Sequence, residues 1–303
     1  MKYPIVKAIT SDHLELFGFL AEAEGEKDAI LIHIHGTSSS FYCEEYAGLF
    51  AEEFPALGVT TLFTNNRGSH VMEAWQNTGA GLEMFEDCLL DIDAWVRYAI
   101  EGGYRRIFLQ GHSLGTEKIV YYINQGEFAG KIAAVILLGV SDSFGNQARI
   151  AQTFPVNPME EARRLVAEGK GDQFLTSVWR PHGGGVPQSA ASYLNFFSPG
   201  SELSKALPLR LGKGLLHYRQ IKVPILVVVG EYDPFTCLPV SEAIQLLEKE
   251  NQQTRTKIIA GADHDFSGKE KELLQVIKEF VQTVRTPYRA PIDERNAHGR
   301  EPD

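Results

Sequence analysis

The stretch Leu109-Gln110-Gly111-His112-Ser113-Leu114-Gly115, LQGHSLG, sets one serine between two glycines at the end of an apolar run. RRIFLQ before it reads as a strand, and LGTEKIVYYINQG after it reads as a helix ending at Gly126. Gly-x-Ser-x-Gly at a strand-to-helix junction forces a sharp turn that small flanking residues allow. That turn lifts Ser113 clear of a sheet and sets the Leu114 N–H beside it. A free hydroxyl is a poor nucleophile, so chemistry at Ser113 needs a base, an acid to orient the base, and preorganised donors for an oxyanion. Without them the motif is a tight turn with a solvated serine.

Working outward, short apolar runs alternate with helical patterns, the rhythm of a mostly parallel α/β sheet with helices on both faces. The runs are Ile30 to Ile34, Val59 to Phe63, Arg106 to Leu109, Ala133 to Leu138, Ile225 to Val229 and Lys257 to Ile259. KAITSD and LELFGFLAEAE before them read as an antiparallel hairpin that starts the sheet. Leu82, Phe85, Leu89, Ile92, Val96 and Ala99 recur at steps of three and four, one face of a helix stopped by Gly102-Gly103. Leu273, Ile277, Phe280 and Val284 follow the same rule.

From Ser141 to Tyr218 the rhythm breaks: a helix around Met159 to Lys170, a glycine cluster at Gly183 to Gly185, and the aromatic-rich SYLNFFSPG. An insertion this long in a regular α/β chain is expected to be a lid or binding element. The expected organisation is a core of residues 1–140 and 219–285, a helical lid at 141–218, and a loose, proline-punctuated tail at 286–303.

Composition narrows the classes. The 303 residues are 44% hydrophobic and 22% charged, ordinary for a globular chain with a sizeable core. A formal net charge of −10 with no basic stripe argues against a nucleic-acid partner. The opening MKYPIVKAIT lacks the apolar segment of a signal peptide, and no window approaches the roughly 18 uninterrupted apolar residues of a membrane span, so a cytoplasmic protein is expected. Cys43, Cys88 and Cys237 are odd in number and scattered, a set of reduced thiols rather than a disulfide framework or zinc pattern.

The partners of Ser113 should follow in the order acid, then histidine, each at the carboxyl end of a strand. Asp233 follows ILVVVGEY, and His264 lies in AGADHDF past the last strand. The alternative for Asp233 is an N-cap of the helix Leu238 to Glu250; its rival as acid is Asp142, after the AAVILL run. His33-Ile34-His35-Gly36-Thr37 ends the first long strand, where glycine permits close backbone approach and the Thr37 N–H can be the second oxyanion donor beside Leu114, with Ser38 as runner-up. His33 alternates with isoleucines and reads as core; His35 reads as loop support. Ser38, Trp179, Tyr193, Phe196 and Phe197 are candidate substrate-lining residues, and His182 and His217 have no ligand spacing.

With these pieces the chain resembles the α/β-hydrolase family from about Ala29 to Phe280: HIHGT as oxyanion loop, GHSLG as nucleophile elbow, GEYDP as acid loop and GADHDF as histidine loop. The resemblance implies Ser113 as nucleophile, His264 as base, Asp233 as its orienting acid, and a lid after the AAVILL run. One departure is Asn65-Asn66-Arg67-Gly68-Ser69-His70, where many members carry Asp-x-Arg-Gly and a further glycine. The expected activity is hydrolysis of a small or medium-sized carboxylic ester through an acyl-enzyme, without metal or organic cofactor. An amidase, thioesterase or acyltransferase would use the same three residues, and a ligand-binding protein could be built on the same fold.

Overall fold

The computed structural model describes residues 3–25, 27–154, 156–178 and 186–285. Its strands are β1 (Ile5–Ile9), β2 (Glu15–Ala21), β3 (Ala29–Ile34), β4 (Val59–Thr64), β5 (Arg106–His112), β6 (Ile132–Leu138), β7 (Ile225–Gly230) and β8 (Thr254–Ile259). They form one sheet in the order β1-β2-β4-β3-β5-β6-β7-β8. The β1–β2 hairpin and the β2–β4 pair are antiparallel, and every later pair is parallel.

Burial explains which strands the sequence displays. β3, β4 and β7 are buried at every residue, as parallel strands covered on both faces must be, and so appear as unbroken apolar runs. The edge strand β8 is buried only at Ile259, so its polar start at Thr254 carries no apolar signal.

The helices are α1 (Ala47–Glu53), α2 (Cys88–Glu101) and α3 (Leu114–Gln125), then α4 (Ser143–Ala151), α5 (Pro158–Ala167), α6 (Ala190–Phe197), α7 (Glu202–Ala206) and α8 (Leu216–Gln220), and finally α9 (Val240–Glu250) and α10 (Glu270–Arg285). Ile92 and Trp95 of α2, Ile119 and Val120 of α3, and Leu247 of α9 share a core on one face of the sheet. Phe50 of α1 and Leu273, Ile277 and Phe280 of α10 share the core on the other. The helix expected from Leu82 starts later, at Cys88, after a 3-10 turn over Phe85–Asp87. Gly79, at φ 123°, accepts the amides of Leu82 and Glu83 in a turn, so these residues are committed before the helix begins.

The segment between β6 and β7 divides by packing. α5 and α6 close over a small core of their own, with Ala162, Leu165, Leu175, Ala190 and Tyr193. Leu207, Leu209, Leu215, Tyr218 and Ile221 instead join the main core against the sheet. These residues lack strand periodicity yet pack with the sheet, within and just past the span expected as the insertion. Trp179, His182, Gly183 to Gly185 and the tail 286–303 lie outside the described residues.

Candidate active site

Between β5 and α3, Ser113 adopts φ 54° and ψ −125°, a conformation that costs about 1–3 kcal/mol for a non-glycine residue and persists only where the surroundings impose it. Glycine beside it is a matter of space. A Cβ on Gly115 would stand 2.3 Å from the Ile34 carbonyl oxygen, and one on Gly36 would stand 2.8 Å from Ser113 Cβ. Gly36 thus brings the loop after β3 directly against the serine. Leu114 opens α3, where an N–H has no helical acceptor.

Asp233 and His264 sit in the loops after β7 and β8. His264 Nδ1 pairs with Asp233 Oδ2 at 2.8 Å, and both residues are buried. Asp233 also accepts from the Phe235 N–H at 2.9 Å, and the Phe235 ring lies 4.4 Å from the His264 ring, centroid to centroid. The helix after Asp233 starts beyond Pro239 with no side-chain cap, so Asp233 does not serve it as one. Asp142 has other employment: it caps α4 through Gly145 N–H at 2.8 Å and accepts Arg210 Nη1 at 2.6 Å.

Gly36, Thr37, Ser113, Leu114 and His264 line one cavity of about 750 Å³, together with Phe196 and Phe197. Two expected lining residues are elsewhere. Ser39 rather than Ser38 faces the cavity. Tyr193 is buried in the core of α5 and α6, its hydroxyl accepting from Gln147 Nε2 at 3.1 Å. Ser141, Ser143 and Gln147, which carried no sequence signal, line the cavity as well.

The loop after β3 is braced from behind. His35 Nδ1–H donates to the Gly36 carbonyl at 2.7 Å, while Nε2 accepts the Asn66 N–H at 3.2 Å. Burial and the nearby Lys118 charge push the His35 pKa down to about 3, so this ring is neutral. In the Asn65 to His70 segment, Arg67 binds the buried Asp91 through its backbone N–H at 2.8 Å and its Nε at 3.0 Å. Lys118 and Glu83 form a hydrogen-bonded pair with both side chains buried, and Lys118 also reaches Asn66 Oδ1 at 3.3 Å.

Two further buried carboxylates stand at the site: Glu44 lines the cavity, and Glu117 lies behind Ser141 and Ser143, which line it. Glu44 lies opposite His112 Nδ1, with 3.5 Å between Nδ1 and Oε2. Burial alone would raise Glu44, but the His112 and His33 imidazoles outweigh it and hold the carboxyl far below the usual range. Burial would lower His112, but Glu44, the His264 carbonyl and Asp265 hold it above the ordinary histidine value. Glu117, on α3, accepts from Ser141 Oγ at 2.9 Å, from Ser143 N–H at 3.0 Å and from Ser143 Oγ. Burial, helped by the Asp142 charge, outweighs those donors and pushes Glu117 up to about 8.

Among the described residues, His112, His264 and Asp265 bring ligand-type atoms within 4.8 Å of one another. His264 Nδ1 is already held by Asp233, and His112 Nε2 by the His264 carbonyl at 2.9 Å, so the grouping is a hydrogen-bonded cluster. None of the described helices is long and apolar enough to cross a membrane.

Residues 78–286 match the model of the family described as "Protein of unknown function (DUF1749)", an α/β-hydrolase-like family. The chain belongs to the DUF1749 family. No curated protein matches it in sequence. Among solved structures it is similar to Est1E from Butyrivibrio proteoclasticus, with 17% identity, a TM-score of 0.64, and coverage of 92% of this chain and 98% of that one. It is also similar to the alpha/beta hydrolase GrgF from Penicillium sp. sh18, with 16% identity, a TM-score of 0.65, and coverage of 94% and 98%. A third is the Pyrococcus furiosus esterase Pf2001, with 17% identity, a TM-score of 0.57, and coverage of 93% and 90%. At these identities the likeness is one of fold: the chain is an α/β hydrolase in architecture.

Proposed function

We propose that the protein is a serine hydrolase that cleaves a carboxylic ester of small or medium size through an acyl-enzyme on Ser113. One observation carries the reading: the Asp233–His264 hydrogen bond of 2.8 Å stands in the same cavity wall as a strained serine at a strand-to-helix turn. With Nδ1–H held by Asp233, the basic nitrogen of His264 is Nε2. It takes the Ser113 proton as Oγ attacks the ester carbonyl, and Asp233 stabilises the imidazolium that forms. The amides of Leu114 and Thr37 receive the oxyanion. His264 then protonates the departing alcohol, and water, activated by the same nitrogen, releases the acid and restores Ser113.

The insertion over α4 to α7 acts as the lid, and Phe196 and Phe197 supply the apolar lining for the acyl group. The esterases among the fold relatives support the choice of ester over other acyl derivatives. Hydrolysis of p-nitrophenyl esters of increasing acyl length, by wild type and Ser113→Ala, tests this. The expected result is wild-type activity with an optimum chain length and a loss of at least about 10⁴-fold in the variant. Equal rates for the two proteins across the series would refute it.

A further inference from the structure

His112 stands inside the serine motif, yet its side chain leaves Ser113 and reaches the other loops. Its Nε2–H donates to the main-chain carbonyl of His264 at 2.9 Å, and the two rings lie 4.8 Å apart. Its Nδ1 faces Glu44 Oε2 at 3.5 Å. Both nitrogens therefore face acceptors, which suits an imidazolium. Glu44 collects one hydrogen-bond donor and stands near a second imidazole. Ser39 Oγ donates to Oε1 at 3.0 Å from the loop after β3. The amide Nε2 of Gln110 donates to His33 Nδ1 at 3.0 Å, and His33 Nε2 lies 3.8 Å from Glu44 Oε1, near the carboxylate but without a hydrogen bond to it. Oxygen atoms of one buried carboxylate thus meet groups from β3, from the Gly36 loop and from the end of β5, and His112 passes the connection to the loop that carries His264.

We propose that Glu44 and His112 are positioning residues: a buried ion pair that fixes the oxyanion loop, the nucleophile turn and the histidine loop in register. The proposal rests on reading Ser113, His264 and Asp233 as the reacting set. Neither residue touches the substrate carbonyl in this scheme; both act through the backbone of His264 and the loop of Gly36. An error of about 1 Å in such an alignment costs on the order of 100-fold in rate. Groups facing His112 are Glu44 from the loop after β3, Tyr46 edge-on at 6.4 Å, and His264 and Asp265 from the loop after β8, the Asp265 carboxylate at 3.8 Å. All the carboxylates in that shell favour the charged ring, so the pair should persist through neutral pH and break as His112 deprotonates on the alkaline side.

The test is the rate at which a fluorophosphonate probe labels Ser113 in wild type, Ser113→Ala, Glu44→Gln, His112→Gln and the double variant, with the Tm of each. Wild type should label and Ser113→Ala should not. Each single variant should label about 10- to 100-fold more slowly with a Tm within a few degrees. The double variant should be no slower than the worse single one, because one link is broken either way. Wild-type labelling should fall at alkaline pH with the His112 titration, a limb that His112→Gln lacks and that a merely structural role would not produce.

Single variants labelling at the wild-type rate, or losses that multiply in the double variant, would overturn the proposal. If a variant does not fold, the ¹⁵N-histidine spectrum of the wild type decides. A doubly protonated His112 at pH 7 supports the ion pair, and a neutral ring removes it. A wild type that fails to label is distinguishable from all of these and refutes the acyl-transfer reading together with this proposal.

Discussion

The cavity has two walls of different make. One is built from the carboxyl ends of β3, β5, β7 and β8, and its side chains are fixed by hydrogen bonds between loops: His264 to Asp233, His112 to the His264 carbonyl, and the Asn66 N–H to His35. The other is built from the insertion, where Phe196, Phe197 and Ile150 present apolar surface and α5 and α6 rest on a core of their own. The difference teaches where precision is invested. On the proposed reading, bond making would need placement within fractions of an ångström at the sheet edge, while holding an acyl chain would need only shape and apolar area from the insertion.

The sharpest way to break the comparison is Asp233→Asn. It leaves the cavity shape intact but lets His264 take the wrong tautomer, so kcat on a p-nitrophenyl ester should fall by about 10³- to 10⁴-fold with KM little changed. A loss below tenfold would mean that the sheet-edge wall does not depend on this bond.

Glu117 tests the joint between the walls, since its carboxyl on α3 holds Ser141 and Ser143 at the root of the insertion. Its folded value of about 8 lies above the ordinary 4.5. The extra proton affinity therefore stabilises the fold fully below pH 4.5, and that stability is lost as pH rises toward 8, on the order of a few kcal/mol. Glu117→Gln should flatten the dependence of Tm on pH over that window and raise Tm at its upper end. Parallel wild-type and variant curves would contradict this.

Phe197→Ala probes the apolar lining where the insertion meets α3. Because Phe197 is only partly buried, we expect a change of about tenfold in kcat/KM for longer acyl chains, nearly none for acetyl, and little change in Tm, measured across the same ester series. The smallest effect belongs to the surface of the insertion. Arg164 on α5 and Glu168 just past its end form an exposed, solvent-screened pair at 3.0 Å, so Arg164→Ala should leave both thermal unfolding and activity unchanged within error.

What could be read in the sequence follows the same division. Parallel strands buried on both faces announce themselves as apolar runs, so β3, β4, β5, β6 and β7 were legible, and with them the loop positions of Ser113 and Asp233 at one sheet edge. Edge strand β8, with a single buried residue, was legible only at its end. Residues from Leu207 to Ile221 carry no strand period, and only their burial against the sheet assigns them to the core.

Polar partnerships were the least legible part. Asp142 and Asp233 each follow an apolar run, and only the tertiary contacts give one to Arg210 and the cap of α4 and the other to His264. Glu44 and His112 stand far apart in sequence, in a loop and at a strand end, and no spacing rule joins them. The one available signal was that a side chain beside Ser113 on a strand must point away from it, toward whatever supports the turn.

The central claim is that Ser113 carries the acyl group, and the first turnover tests it most directly. Rapid mixing with a p-nitrophenyl ester, quenched and analysed by intact mass and peptide mapping, should show a burst of p-nitrophenol approaching the enzyme concentration and an acyl adduct on the Ser113 peptide. The adduct should accumulate in wild type, persist longer in Asp233→Asn where it forms at all, and be absent in Ser113→Ala. Product release without any adduct on Ser113, or an unchanged burst in Ser113→Ala, would contradict the account.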